Sequence, residues 1–161
     1  MKLTFKCIRR RIDQDNTVKT LIKLTNEQLD FIDNHISKNS RSLAVSQLSK
    51  WAIEKLVSEN TILNISFIDG VYHFTESENK TDSIYVLSLN KSFKAESKYV
   101  SIVASKELIN LLKEKTDKVA LSKALPALTI YALNELIANK EMYVYDSVNN
   151  INQIIKQRSN S

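Results

Sequence analysis

The residues of this sequence best suited to chemistry are basic, and they are concentrated near the N-terminus. The first 24 residues hold seven basic and two acidic side chains, so their local charge of +5 equals the formal net charge of the 161-residue chain. The basic residues are Lys2, Lys6, Arg9, Arg10, Arg11, Lys19 and Lys23. Such a segment is typical of nucleic-acid-binding surfaces and equally of a solvated charged arm. Charge alone leaves both interpretations open.

Few residues suit enzyme or metal chemistry. The chain has one cysteine, which excludes an internal disulfide and a CxxC metal motif, and its two histidines are far apart in sequence. Its one glycine excludes a glycine-rich phosphate loop. No nucleophile-base pair or carboxylate pair stands out from the surface charge. We therefore expect no enzymatic activity, no metal, no cofactor and no small-molecule substrate.

We expect neither a membrane span nor a secretion signal in this sequence. No apolar run approaches the roughly 18 residues of a membrane span, and the basic N-terminus is not followed by a long apolar segment. We expect a cytoplasmic protein without a membrane partner, nucleoid-associated or, if the protein is viral, in the host cytoplasm.

The sequence contains an internal repeat, so the strand and helices that would position the basic residues are predicted twice. Residues 19–57 align without gaps on residues 99–137, at an offset of 80 residues, and eight of the 39 aligned pairs are identical. Half of these identities recur every fourth residue, as one stripe of a helix does. They are Ala44/Ala124, Leu48/Leu128, Ala52/Ala132 and Leu56/Leu136.

Each copy predicts a strand followed by two helices. A short alternating run precedes a hydroxyl residue, Thr25 or Ser105, which is suited to cap the N-terminus of a first helix of about three turns. A polar linker and a second hydroxyl N-cap, Ser42 or Ser122, introduce a longer helix, which in the second copy begins near Lys123. The longer helices are expected to end near residues 59 and 139.

Such a unit cannot bury its apolar stripes or pair its strand edges alone. The second copy is the obvious partner, because two equivalent strands can pair antiparallel about a pseudo-two-fold axis. We predict an α+β fold with halves 1–80, core 19–59, and 81–161, core 99–139. Pairing within one chain or between chains is left open.

Further strands are predicted around the repeats. Residues 62–75 contain Asp69-Gly70 between two β-rich runs, a strong hairpin signal. Short strands are expected at 3–8, 84–89 and 142–145, and a final short helix at 148–156.

Two motifs of the first copy are specific, NSRSL at residues 39–43 and IKLTNEQL at residues 22–29. They are similar to the N-G-R-S-V type turn and the V-R-L-P-x-E-x-L start of Arc- and MetJ-type DNA-binding proteins, so the repeated unit resembles the ribbon-helix-helix fold of that family. The match covers residues 19–57 and, more weakly, 99–137. Two tandem copies would form an intramolecular pseudo-dimer with additional strands.

The resemblance implies a two-stranded ribbon that enters the major groove and reads base edges with its outer face. In the first copy alternation places Thr20, Ile22 and Leu24 inward. The candidate base-reading residues are Lys19, Leu21, Lys23, Tyr99, Ser101 and Val103. For the two lysines, the alternative is a solvated strand face without a partner.

The resemblance also implies that the second helix of each copy holds phosphate at its N-terminus. The candidate phosphate-binding residues are Arg9, Arg10, Arg11, Arg41, Ser42, Leu43, Ser122 and Lys123, with Lys118 alongside. For Ser42 the alternative is a plain N-cap, and for the arginine run a charged loop.

The second copy departs from the family pattern, because its outward strand positions carry no basic group and Leu121 replaces the linker arginine. Either it reads DNA through different contacts or it is a structural half that completes the ribbon. We favour an asymmetric ribbon in which the first copy supplies most of the charge.

These features favour a sequence-specific, double-stranded-DNA-binding transcriptional regulator, with repression as the favoured role. Two chains could occupy two half-sites as a homodimer of pseudo-dimers, and tandem copies in a small basic chain resemble viral or plasmid regulators. The alternative is a protein-interaction module, such as an antitoxin-like or accessory factor, that keeps the fold without reading DNA.

Overall fold

A computed structural model of the chain describes residues 6–8, 17–35, 41–68, 71–81, 83–89, 98–116, 120–139, 141–146 and 151–156. The described fold is α+β, as expected. In chain order its elements are β1 (Lys6–Ile8), β2 (Thr17–Leu24), α1 (Asn26–His35), α2 (Arg41–Ser58), β3 (Thr61–Ile68), β4 (Val71–Glu78), β5 (Leu87–Leu89), β6 (Lys98–Ser105), α3 (Lys106–Lys115), α4 (Leu121–Ala138), β7 (Glu141–Asp146) and β8 (Ile151–Lys156).

The same order of elements occurs in both halves. The first residues of α1 and α3, of α2 and α4, of β3 and β7, and of β4 and β8 lie 80 positions apart. The offset found in residues 19–57 therefore extends through the two strands that follow each helix pair.

Strands β2 and β6 form a two-stranded antiparallel sheet, so the two repeats pair within one chain. Leu21 lies opposite Ser101, its equivalent at an offset of 80. Alternation places Ile22 and Leu24 in the core from one strand and Ile102 and Ala104 from the other. The predicted inward face of β2 is confirmed for Ile22 and Leu24, whereas Thr20 is half-buried.

Helices α2 and α4 cross beneath this sheet, each in contact with the strand of the other half as well as with one another. Their shared alanine and leucine stripes are buried, and residues of both halves belong to one apolar cluster. At the crossing, the buried hydroxyls of Ser49 and Thr129 lie 3.3 Å apart. These two residues are again 80 positions apart, so equivalent residues meet both in the sheet and in the helix layer.

The first helices begin at the predicted hydroxyl residues. Thr25 Oγ1 accepts from the Gln28 backbone N–H at 3.2 Å, and Gln28 Oε1 accepts from the Thr25 N–H at 3.0 Å, which completes a capping box. Ser105 Oγ accepts from the Leu108 N–H at 3.1 Å. Glu27 and Glu107 lie in the first turns, where the helix dipole favours negative charge.

The second helices begin earlier than predicted. Helix α4 starts at Leu121 after an Ala120 N-cap without a side-chain hydrogen bond, so Ser122 is not its cap and Lys123 is not its start. Helix α2 starts at Arg41, which places Ser42 inside its first turn. Pro126 consequently lies beyond the first turn of α4, where it cannot donate the backbone bond that would reach the carbonyl of Ser122.

Two three-stranded sheets flank the repeats in the described chain, with orders β4-β3-β5 and β1-β7-β8. In each sheet a hairpin pairs antiparallel, and a strand from the other half adds parallel to it. Ile68 lies opposite Val71, in agreement with the predicted two-residue connection, whose own residues Asp69 and Gly70 lie outside the described chain.

The predicted C-terminal helix at 148–156 is wrong. Residues Ile151–Lys156 form strand β8, which pairs antiparallel with β7. Glu141 lies opposite Lys156 at one end of this pairing, and Asp146 lies opposite Ile151 at the other. A segment this short is marginal as an isolated helix, whereas pairing with β7 satisfies its backbone groups.

A polar cluster fixes the first hairpin to the helices. The Tyr131 hydroxyl of α4 donates to the Glu76 carboxylate of β4 and accepts from Lys55 Nζ of α2 at 3.2 Å. Lys55 Nζ also pairs with Glu59 at 2.9 Å. Burial, the hydrogen bond to Glu76 and nearby carboxylates raise the pKa of Tyr131 above its ordinary value. Three elements far apart in sequence are thus joined at one hydroxyl.

Candidate nucleic-acid interface

The outer face of the β2–β6 sheet, which we call the ribbon face, carries all six predicted base-reading residues. It consists of three directly opposed pairs, Lys19–Val103, Leu21–Ser101 and Lys23–Tyr99. Because strand residues alternate between faces, the buried inner residues hold these six side chains away from the core. The structure therefore brings the predicted set together on one surface.

The ribbon face is open to solvent, although it contains large apolar groups. The exposed fraction is 62% for Tyr99, 51% for Leu21 and 45% for Val103. Exposed apolar groups that are grouped on one surface, unlike scattered ones, mark interaction sites. A solvated strand without a partner does not require them.

Two positive charges stand at opposite ends of the ribbon face. Lys19 lies beside Val103 at one end, and Lys23 lies beside Tyr99 at the other. The Lys23 Nζ atom is 6.0 Å from the centroid of the Tyr99 ring, at the outer limit of a cation–π contact. A lysine ammonium carries three hydrogen-bond donors.

The start of α2 is attached to the ribbon. Ser42 Oγ accepts from the backbone N–H of Val103 at 3.1 Å, across the edge of β6. Ser42 is therefore neither an N-cap nor free of the sheet, and it fixes the position of the α2 N-terminus at the Lys19–Val103 end. Its carbonyl oxygen accepts from the Ser46 hydroxyl at 2.9 Å.

Helices α2 and α4 differ from α1 and α3 at their N-termini. Neither α2 nor α4 has an acidic residue in its first turn, and α4 lacks a side-chain cap. Unpaired first-turn amides and the helix dipole favour an anion at such ends. Ser122 and Lys123 lie in the first turn of α4, both half-buried.

Arg41, a predicted phosphate ligand, has a protein partner. Its guanidinium donates from Nη2 to both carboxylate oxygens of Asp33 at 2.8 Å and from Nε to one of them at 3.1 Å. The pair links α1 to α2 and neutralises the arginine locally. Sequence reasoning missed Asp33, because a separation of eight residues across a linker carries no local signal.

Part of the prediction lies outside the described residues. This applies to Arg9, Arg10 and Arg11 and to Lys118, whose structure is therefore not discussed. Leu43 lies within α2, where only its backbone is described.

Within the described chain, no group of three or more His, Cys, Asp or Glu side chains could hold a metal ion. The described helices also include none that is both long and apolar enough to cross a membrane.

Comparisons with protein-family models, curated proteins and solved structures found no match to this chain. The ribbon-helix-helix resemblance therefore stays a prediction from the motifs in the sequence.

Proposed function

We propose that this protein is a sequence-specific, double-stranded-DNA-binding transcriptional regulator that inserts the ribbon face into the major groove. The observation that carries the proposal is the ribbon face itself. It is a two-stranded antiparallel sheet that is buried on one side and presents lysine, hydroxyl, aromatic and aliphatic groups on the other. These are the groups that contact base edges.

Two contacts between equivalent residues support an intramolecular pseudo-dimer of two ribbon-helix-helix units. Leu21 faces Ser101 in the sheet, and Ser49 contacts Thr129 between the helices. A pseudo-two-fold axis through both places would relate equivalent residues 80 positions apart. Each second helix also packs beneath the strand of the other half, so neither unit has a core of its own.

The dimensions of the ribbon fit the groove. The major groove of B-DNA is about 12 Å wide and admits a two-stranded ribbon. Lys19 and Lys23 are four residues apart on β2, about 13 Å at the rise of an antiparallel strand. This is the rise of about four base pairs, so the two lysines can reach bases at opposite ends of a short site.

Phosphate contacts would hold the ribbon in register. The N-termini of α2 and α4 favour anions, and Lys123 adds a cation to the latter. Residues Arg9–Arg11 precede β2 and would add backbone or minor-groove contacts as a basic arm. Repression would follow when one chain, or two chains on adjacent half-sites, occludes a promoter.

The decisive experiment is selection of duplex DNA from a random pool, followed by titration of the selected site with the full chain and its variants. Lys23→Ala should weaken specific binding by about 1 to 3 kcal/mol, because the lysine donates to guanine O6 and N7. Lys80→Ala is the matched control, since Lys80 is exposed. Its neighbour Asn79 donates its backbone N–H to the carbonyl of Asn60, which places Lys80 beyond the C-terminal end of α2. This variant removes the same charge far from the ribbon.

Salt dependence separates DNA binding from protein association. The logarithm of the binding constant should fall linearly with the logarithm of salt concentration, with a slope near 0.9 per phosphate contact. If no duplex is retained at low salt, or if Lys23→Ala and Lys80→Ala bind alike, the proposal is wrong.

A protein-interaction module is the second candidate, and the β3–β4 hairpin favours it. Ile68 and Val71 at the end of the hairpin are exposed, and in the described sheet β4 pairs on one side only. An open strand edge is a template for another chain. If this function holds, Val71→Asp abolishes cross-linking to a partner in cell extract, while Lys23→Ala leaves it intact.

A further inference from the structure

The two halves of the ribbon face differ at every equivalent position. With an offset of 80, Lys19 corresponds to Tyr99, Leu21 to Ser101, and Lys23 to Val103. The backbone frame nevertheless keeps these positions equivalent, because the register centres on the Leu21–Ser101 pair. Lys23 and Val103 each lie two residues from that centre, on opposite sides of it.

The Lys23 and Val103 positions have opposite chemistry toward a base pair. A lysine donates to the O6 and N7 acceptors of guanine, whereas an exposed aliphatic side chain contacts the C5 methyl of thymine. Val103 is available for such a contact, since nearly half of it is exposed and its backbone N–H is bonded to Ser42. Symmetric DNA would offer the same base to both positions, and one of them would be mismatched.

We propose that this protein recognises an asymmetric duplex site, with guanine facing Lys23 in one half and thymine facing Val103 at the equivalent place in the other. The two bases lie about four base pairs apart, because Lys23 and Val103 are separated by four residues of strand rise, about 13 Å. This specificity rests on the proposed function and adds to it the class of site. A dimer of identical chains would not distinguish guanine in one half from thymine in the other, because each side chain occurs in both of its halves.

The test compares the sites selected by the full chain and by two variants that make the ribbon more symmetric. The wild-type protein should enrich a motif that is not its own reverse complement. Val103→Lys should add guanine to the second half and raise affinity for the guanine palindrome about tenfold or more relative to the wild-type protein. Lys23→Val should produce the converse preference, thymine in both halves.

Val57→Lys is the matched control, because Val57 lies near the C-terminal end of α2, outside the ribbon face, and is exposed to nearly the same extent as Val103. The lysine added there should leave the asymmetric motif unchanged. Thermal unfolding of each variant identifies any that fail to fold. Since Lys23→Val places a strand-favouring residue in β2, it tests the proposal independently of the charge added by Val103→Lys.

The outcomes separate the specificity from the function. A palindromic wild-type motif, or motifs that folded Val103→Lys and Lys23→Val variants leave unchanged, would overturn the asymmetric reading while DNA binding stands. Failure of the wild-type chain to enrich any duplex would overturn both. An asymmetric wild-type motif that becomes symmetric at these two base positions in either variant supports the proposal.

Discussion

Replacing Leu128 with alanine should destabilise both halves of the chain together. Leu128 is fully buried in α4, in the second half, and belongs to the apolar cluster that contains residues of both halves. The only tryptophan, Trp51, lies in α2 of the first half and packs against the same cluster. Its fluorescence therefore reports on one half while the mutation changes the other.

The magnitude follows from the cavity that the substitution leaves. Leu→Ala at a fully buried site costs about 2 to 5 kcal/mol, the lost transfer free energy of the side chain plus a cavity contribution. A chain of this size has a free energy of unfolding on the order of 5 to 15 kcal/mol. With a urea dependence of about 2 kcal/mol per molar, a 3 kcal/mol loss lowers the midpoint by about 1.5 M.

Urea unfolding of Leu128→Ala should be followed by Trp51 fluorescence and by far-ultraviolet circular dichroism. Both signals should shift together by the same amount, because α2 and α4 share one core. Ile84→Ala is the control, since it also removes three carbons but from a side chain that is 57% exposed, and should cost less than about 1 kcal/mol. An unshifted fluorescence transition in Leu128→Ala would refute the shared core.

Three further measurements test local features of the fold and site. Thr25→Ala removes the α1 cap and should lower the free energy of unfolding by about 1 kcal/mol in urea titrations. Burial raises the pKa values of Tyr72 and Tyr131 in the folded state, so ionisation of the unfolded chain should reduce stability as pH rises above about 10. Tyr72→Phe should make the fall of the free energy of unfolding with pH less steep, by up to about 1.4 kcal/mol per pH unit. An unchanged slope would contradict the assignment of that fall to Tyr72. Asp33→Asn frees Arg41 for phosphate, so binding titrations should give a salt slope steeper by about one, whereas an unchanged slope would exclude Arg41 as a phosphate ligand.

Local rules predicted the central elements well. Alternating residues identified the inner face of β2, and hydroxyl residues before apolar runs located the starts of α1 and α3. These features depend on side chains a few residues away, so the sequence contains most of the information. The α4 start was missed because Ala120 serves as the N-cap without a side-chain bond, and a side-chain signal is what identifies a cap in sequence.

The 80-residue offset also relates the strands that follow each helix pair. Strands β3 and β4 begin 80 residues before β7 and β8, so the offset itself predicts a strand where we expected a helix at 148–156. Other features had no sequence signal of any kind. The Arg41–Asp33 pair and the Tyr131–Glu76 hydrogen bond join separate elements, and only the tertiary fold brings them together.

Equivalent residues of the two halves are identical or different according to the role proposed for their positions. Agreement is strongest in the buried stripes of α2 and α4, which share Ala, Leu, Ala and Leu at equivalent places because both must fit the same helix crossing. Difference is complete on the ribbon face, where five of the six side chains are exposed and the core does not restrict them. In an assembly of two identical chains, a substitution on the ribbon would occur twice and keep the site symmetric. Joining both copies in one chain lets each strand change alone, so a symmetric core can carry a reading surface that distinguishes the two halves of its site.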